Sequence, residues 1–188
     1  MTNSNPLYKA HCFVFTGGPG AGKTAVIEVL EKMGYRCMPE VARQIIREQV
    51  AKDGNAVPWK DMRQYTQMMQ TKTIAAFDRA PDASAGTCFF DRGVPDVVCH
   101  ARLNNIDVDN FLQNAAQQLR YNQHVFLFPP WEEIYRTDAE RKQDFVTAIA
   151  TYEVLKEVYR KYDYTLVEVP RMSIPERVEF VLEEIGKH

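Results

Sequence analysis

Five short apolar runs recur along the chain: HCFVFT (11 to 16), YRCMP (35 to 39), TCFFD (87 to 91), HVFLF (124 to 128) and YTLVEV (164 to 169). Each is too short to cross a membrane and is bounded by Gly, Pro, Asp or polar residues, as expected of strands covered on both faces. Between them the apolar residues shift to a spacing of three and four. Lys23 to Met33 predicts a helix stopped at Gly34, and Glu40 to about Lys52 a second closed by Asp53-Gly54-Asn55. Pro58 suits the first turn of a third helix reaching about Arg79, where its missing N–H costs nothing. Met62, Tyr65, Met69, Ala76 and Phe77 form a stripe on that helix, which reads as core.

The second half follows the same alternation. Pro95 opens a short helix through Leu103, and Phe111 to Tyr121 makes another. After Pro129-Pro130 a polar, charge-alternating segment precedes a long helix with apolar Phe145, Ile149, Tyr152, Leu155, Tyr159 and Tyr162. A capping box of Ser173 and Glu176 starts the last helix. Strands alternating with helices define the α/β class, with a parallel sheet and helices on both faces. A chain of 188 residues makes one domain the expectation: a flexible N-terminus over 1–10, a single domain over 11–188, and a lid over about 129–144.

Composition narrows the partners. With 45% hydrophobic and 26% charged residues the chain matches folded domains, and a net charge of -2 disfavours a mainly electrostatic nucleic-acid binder. Cys12, Cys37, Cys88 and Cys99 form no Cys-x-x-Cys pair and read as free thiols. The polar N-terminus carries no export signal and no run approaches about 18 apolar residues, so the expected location is the cytoplasm. His11, His100, His124 and His188 lack metal-helix spacing, and Gly-x-Ser-x-Gly is absent.

The first run leads into TGGPGAGKT, in which Gly17, Gly22, Lys23 and Thr24 satisfy G-x-x-x-x-G-K-[ST]. Average composition gives a chance match in such a chain at roughly 1%, and the position after a strand and before a helix makes chance rarer still. Gly17, Gly18, Pro19, Gly20, Ala21, Gly22, Lys23, Thr24 and Ala25 form the expected triphosphate cradle. Glycines let successive N–H groups turn inward around a phosphate, while Lys23 reaches the outer phosphates and Thr24 a magnesium ion. The Rossmann fingerprint fails, because Lys23 stands where its third glycine should be. Asn-Lys-x-Asp and Asp-x-x-Gly are both missing, which disfavours a signalling GTPase although GTP remains an alternative to ATP.

Candidate acceptor chemistry lies at the carboxyl edge of the sheet. Asp91 ends the third strand, where a carboxylate holds a metal through water or orients a hydroxyl, and Arg92 follows as an anion partner. Glu40 begins the second helix and shares a face with Arg43 and Arg47, placed to take a proton from, or bind, an acceptor hydroxyl. Asp96 joins Glu40, Arg43 and Arg92 as an acceptor ligand. Arg136, Arg141 and Lys142 fall where a flap would close over the phosphoryl group.

With GGPGAGKT, YRCMPEVARQIIREQ, FFDRGVPD, VFLFPPWEEIYRTDAERKQDF and LVEVP in order from about His11 onward, the chain resembles the AAA-type P-loop domain family of predicted ATPases. That family is similar to the ribosylnicotinamide kinase domain of bacterial NAD regulators. The resemblance implies a kinase-type P-loop fold with strand order 2-3-1-4-5 and a lid after strand four. It also implies Glu40 at the acceptor, Asp91 and Arg92 in the active site, and Arg136 and Arg141 on the lid. No oligomeric AAA machinery is visible. The expected activity is magnesium-dependent phosphoryl transfer from ATP to a small hydroxylated metabolite, a nucleoside or riboside among the candidates. The alternative is a nucleotide-gated binding protein with slow hydrolysis and a protein partner.

Overall fold

A computed structural model describes residues 5–135 and 145–187. In chain order they form β1 (Leu7–Tyr8), β2 (Cys12–Gly17), α1 (Lys23–Lys32), β3 (Arg36–Met38), α2 (Val41–Ala51), α3 (Met62–Asp78) and β4 (Cys88–Asp91). Then follow α4 (Val94–Leu103), α5 (Asn110–Gln118), β5 (Leu119–Arg120), β6 (His124–Phe128), α6 (Phe145–Lys161), β7 (Thr165–Glu168) and α7 (Ile174–Ile185). The five expected strands form one parallel sheet in the order β3-β4-β2-β6-β7, which is the anticipated 2-3-1-4-5.

Alternation along the central strands divides the core. Phe13 and Phe15 of β2 turn one way, with Phe89, Phe126 and Phe128, and pack under Val26 and Leu30 of α1 and Val178 and Val181 of α7. Their rings meet at centroid distances of 5.1 to 6.2 Å, within the range of favourable aromatic pairs. Cys12, Val14, Cys88 and Phe90 turn the other way, under Phe77, Val97, Leu112, Leu155 and Tyr159 from α3 to α6. Both faces are thus dry, which explains the near-continuous apolar runs. All four cysteines are free.

Two differences from the sequence expectation have simple causes. Leu7 and Tyr8 pair in parallel with Leu119 and Arg120, and the Lys9 ammonium donates to the Phe77 and Ala80 carbonyls at 2.8 and 3.1 Å. The segment 1–10 therefore joins the fold from Leu7, through a pairing too short and exposed to leave an apolar pattern. Pro58 does not open α3. A turn over residues 57–61 precedes the helix, and Asp61 is its N-cap, its carboxylate accepting from the Gln64 N–H at 2.9 Å. In α7 the expected capping box forms, with Ser173 N and Oγ both donating to Glu176 Oε2.

Candidate functional site

β2 lies between β4 and β6, so the chain moves to opposite sides of it, and the crevice at its carboxyl end is where α/β folds bind ligands. The glycine loop fills that crevice. Gly17, Gly20 and Gly22 take φ of 144°, 74° and 84°, and a Cβ on Gly17 would meet the Phe128 carbonyl oxygen at 2.4 Å. Lys23 opens α1, is 6% exposed, and donates to the carbonyls of Gly17 and Gly18 at 3.0 and 3.1 Å. Burial, followed by the charge of Arg92, lowers its pKa to about 8 against the pull of Asp91 and Glu40.

Beside the loop, the register pairs Phe15 with Asp91. Asp91 is 7% exposed, and its Oδ1 is buried without a hydrogen-bond partner among the described residues. Burial first, then repulsion from Glu40, raises its pKa to about 6. An orphaned, ionisable oxygen next to a phosphate cradle suits a cation and its water shell.

The chain then turns through Arg92, whose φ of 77° is strained for a side-chain-bearing residue. Its Nε donates to Glu40 Oε1 at 2.9 Å and its Nη1 to Asp96 Oδ1 at 3.0 Å, while Arg43 Nε takes Glu40 Oε2 at 2.8 Å. Burial alone would push the Glu40 carboxyl up, but Arg92, Lys23 and Arg43 outweigh it and hold it below the usual range. Asp96 accepts from Thr16 Oγ1 (2.7 Å), Arg92 Nη1 (3.0 Å), Gly93 N (2.9 Å) and Tyr159 OH (2.5 Å). Those bonds occupy its lone-pair sites. Through these bonds Asp96, the expected acceptor ligand, anchors Arg92 and the start of α4.

Two clefts flank the loop. One, of about 460 Å³, is lined by Gly20 to Ala25, including exposed Thr24, and by Trp131, Ile134, Met172 and Arg177. The Arg177 guanidinium lies 5.6 Å from the Trp131 ring centroid. The other, of about 720 Å³, begins at Pro19 and takes in Glu40, Arg43, Arg92 and Asp96. Its remaining wall includes Trp59, Met62, Tyr65, Met69 and His100. Arg43 borders both clefts. Arg47, expected on the Glu40 face, is exposed and lines neither. Arg136, Arg141 and Lys142 lie outside the described residues.

Sequence reasoning missed the apolar wall. The α3 stripe of Met62, Tyr65 and Met69 was read as core alone, yet it faces the second cleft as well. On α4, Asp96, His100 and Leu103 or Asn104 continue the spacing of three and four from Arg92, a signal that follows the site down the helix. Trp131 and Arg177, far apart in sequence, left no such trace.

Fold and loop together define a P-loop domain of the kinase type. The chain belongs to the AAA domain family designated AAA_28, whose profile matches residues 12–177. Comparison with curated protein sequences gave no match. Among solved structures, NadR protein in complex with NR superposes with a TM-score of 0.69 at 16% identity, over 94% of this chain and 50% of that one. Deoxyadenosine kinase from M. mycoides, with products dCMP and dCDP bound, gives 0.55 at 18% identity over 94% and 98% of the two chains. Shikimate kinase from Acinetobacter baumannii in complex with shikimate gives 0.56 at 14% identity over 98% and 94%. At these identities the likeness establishes the fold. No helix among the described residues is long and apolar enough to cross a membrane.

Proposed function

We propose that the protein is a magnesium-dependent phosphotransferase that moves the terminal phosphoryl group of ATP to a hydroxyl of a small metabolite of the nucleoside or riboside kind. The observation that carries this reading is the meeting of two clefts at one glycine loop, with Arg43 on the border of both. A nucleotide-gated switch needs the first cleft alone. The kinases of similar fold act, by their names, on deoxyadenosine and shikimate, which supports a small acceptor.

Each residue then has a physical task. The loop N–H groups and the α1 N-terminus hold the phosphates, and Lys23 exchanges its carbonyl partners for phosphate oxygens, which keep it protonated. Thr24 and the orphaned Oδ1 of Asp91 would hold magnesium, which when bound neutralises charge on the phosphates. Glu40, ionised and fixed by two guanidinium groups, is better suited to orient the acceptor hydroxyl than to remove its proton. Phosphoryl transfer depends mainly on positioning and charge, so this suffices. Trp131 and Ile134 supply an apolar border for the nucleotide in the first cleft.

The test is incubation with MgATP and a metabolite pool, followed by mass spectrometry for any compound that gains a phosphoryl group. Lys23→Ala should weaken ATP binding roughly tenfold or more with the fold retained, and Glu40→Gln, by loosening the acceptor's position, should slow turnover by about 10² or more with ATP affinity kept. If no metabolite is phosphorylated while a protein partner binds only with nucleotide, the kinase reading is wrong.

A further inference from the structure

Arg177 of α7 is 4% exposed and carries a charge that no neighbour balances. Among the described residues its guanidinium makes no hydrogen bond and no ion pair, and its contact is with the Trp131 ring. The carboxylates nearest in the chain are used elsewhere: Glu176 caps α7 through Ser173, and Glu133 accepts from Trp131 Nε1 at 3.1 Å. Burial lowers the Arg177 pKa, with no carboxylate acting against it. A buried cation without a counter-ion is costly, and an aromatic face leaves its N–H donors unused. An anion from outside the chain would satisfy both.

The guanidinium is within reach of such an anion. Only Nε is sealed; Nη1 and Nη2 are not fully buried, and the residue forms the wall of the first cleft together with Gly20 to Ala25. Nη1 lies 2.5 Å from the point where a Cβ on Gly22 would stand, so it rests on the loop because that residue has no side chain. The ammonium of Lys23 sits elsewhere, on the carbonyls of Gly17 and Gly18. The charges that act on it are those of Arg92, Asp91, Glu40 and Asp96, and Arg177 is not among them. Loop amides of this type cradle the α- and β-phosphates while the lysine serves the outer ones. A second cation at Gly22, apart from Lys23, therefore meets the inner phosphates.

We propose that Arg177 is a nucleotide-binding residue that donates through Nη1 and Nη2 to oxygens of the α- and β-phosphates, the part of the donor that is not transferred. This rests on the reading of the first cleft as the donor site. Trp131 holds the guanidinium at the cleft wall, and the last helix thereby supplies a cation that the glycine-loop motif does not encode.

The experiment uses the full chain with magnesium and ATP, ADP or inorganic phosphate, read by calorimetry and by thermal unfolding. Arg177→Met, which keeps an unbranched apolar stem against Trp131, should weaken ATP and ADP by the same factor of about 10 to 100, the worth of a charge-assisted hydrogen bond. Arg177→Lys, a charge without the planar fork, should retain part of the affinity. Without nucleotide, Arg177→Met should unfold at the native Tm or above it, because an unpaired buried charge has been removed, while the rise in Tm that ADP produces shrinks. A purely structural role predicts the reverse, a lowered Tm with nucleotide affinity kept, and that result overturns the proposal. So does a loss confined to ATP, which would place the contact on the transferred phosphate, or inorganic phosphate protecting the native chain as fully as ADP. If Lys23→Ala weakens ATP binding and Arg177→Met does not, the donor site stands and Arg177 has no part in it. If the native chain binds neither nucleotide, the donor reading fails and the proposal with it.

Discussion

Asp96→Asn tests whether the site is built on a single saturated carboxylate. In the native chain Oδ1 accepts from Thr16 and Arg92, and Oδ2 from Gly93 and Tyr159. An amide replaces one of these oxygens with an NH2 group. If it faces Thr16 and Arg92, the threonine hydroxyl can rotate to accept but the guanidinium cannot. If it faces Gly93 and Tyr159, the phenol can turn but the backbone N–H cannot. Either way one fixed donor is left opposed at a residue only 5% exposed, which costs about 1–3 kcal/mol, and the charge facing Arg92 is lost. The sum is about 3–5 kcal/mol, the range for breaking a buried ion pair from one side. Urea unfolding at neutral pH measures it directly. Tyr159→Phe, which removes one donor and leaves the carboxylate satisfied by three, should cost only about 1 kcal/mol. If Asp96→Asn loses under about 1 kcal/mol, Asp96 does not anchor the site.

Three further outcomes follow. Gly17→Ala places a methyl 2.4 Å from a backbone oxygen at a φ of 144°, so a loss of about 3 kcal/mol is expected by the same unfolding assay, and a neutral result would contradict the loop geometry. Burial, then Arg92, lowers His100 from 6.5 to about 4, so the unfolded chain takes up the proton first on acidification. Its share of stability is complete above pH 6.5 and lost as pH falls towards 4, on the order of 3 kcal/mol. Asp91, raised to about 6, acts in the opposite sense, so the difference between native and His100→Phe unfolding curves isolates the histidine, and a flat difference would refute its burial. Ser173→Ala removes one arm of the α7 capping box and should cost about 1 kcal/mol, read as a lowered Tm.

Much of the frame was legible along the chain. The five apolar runs became the five strands of the sheet because strands covered on both faces must be apolar throughout. TGGPGAGKT could be placed because its constraints are local: positive φ at Gly20 and Gly22, a preceding strand and a following helix. Pro58 misled because proline suits both a turn and a first helical position, and only Asp61 bonding Gln64 separates the two. The Leu7–Tyr8 pairing escaped because its partner lies more than a hundred residues away.

The sequence alone determined the α/β class, the glycine loop and the residues that crowd the carboxyl edge, since these depend on periodicity and on neighbours within a few positions. Only the tertiary structure decided what those residues do to one another. It brought Glu40 and Arg43 from the start of α2, Arg92 from the turn after β4 and Asp96 from α4 into one ion cluster, in which Asp96 anchors Arg92. It also pushed the Asp91 and Glu40 carboxyls in opposite directions and carried the α3 stripe and His100 into one wall. Burial and charge separation are properties of distances in space, and a chain of letters records those only where contact happens to be local.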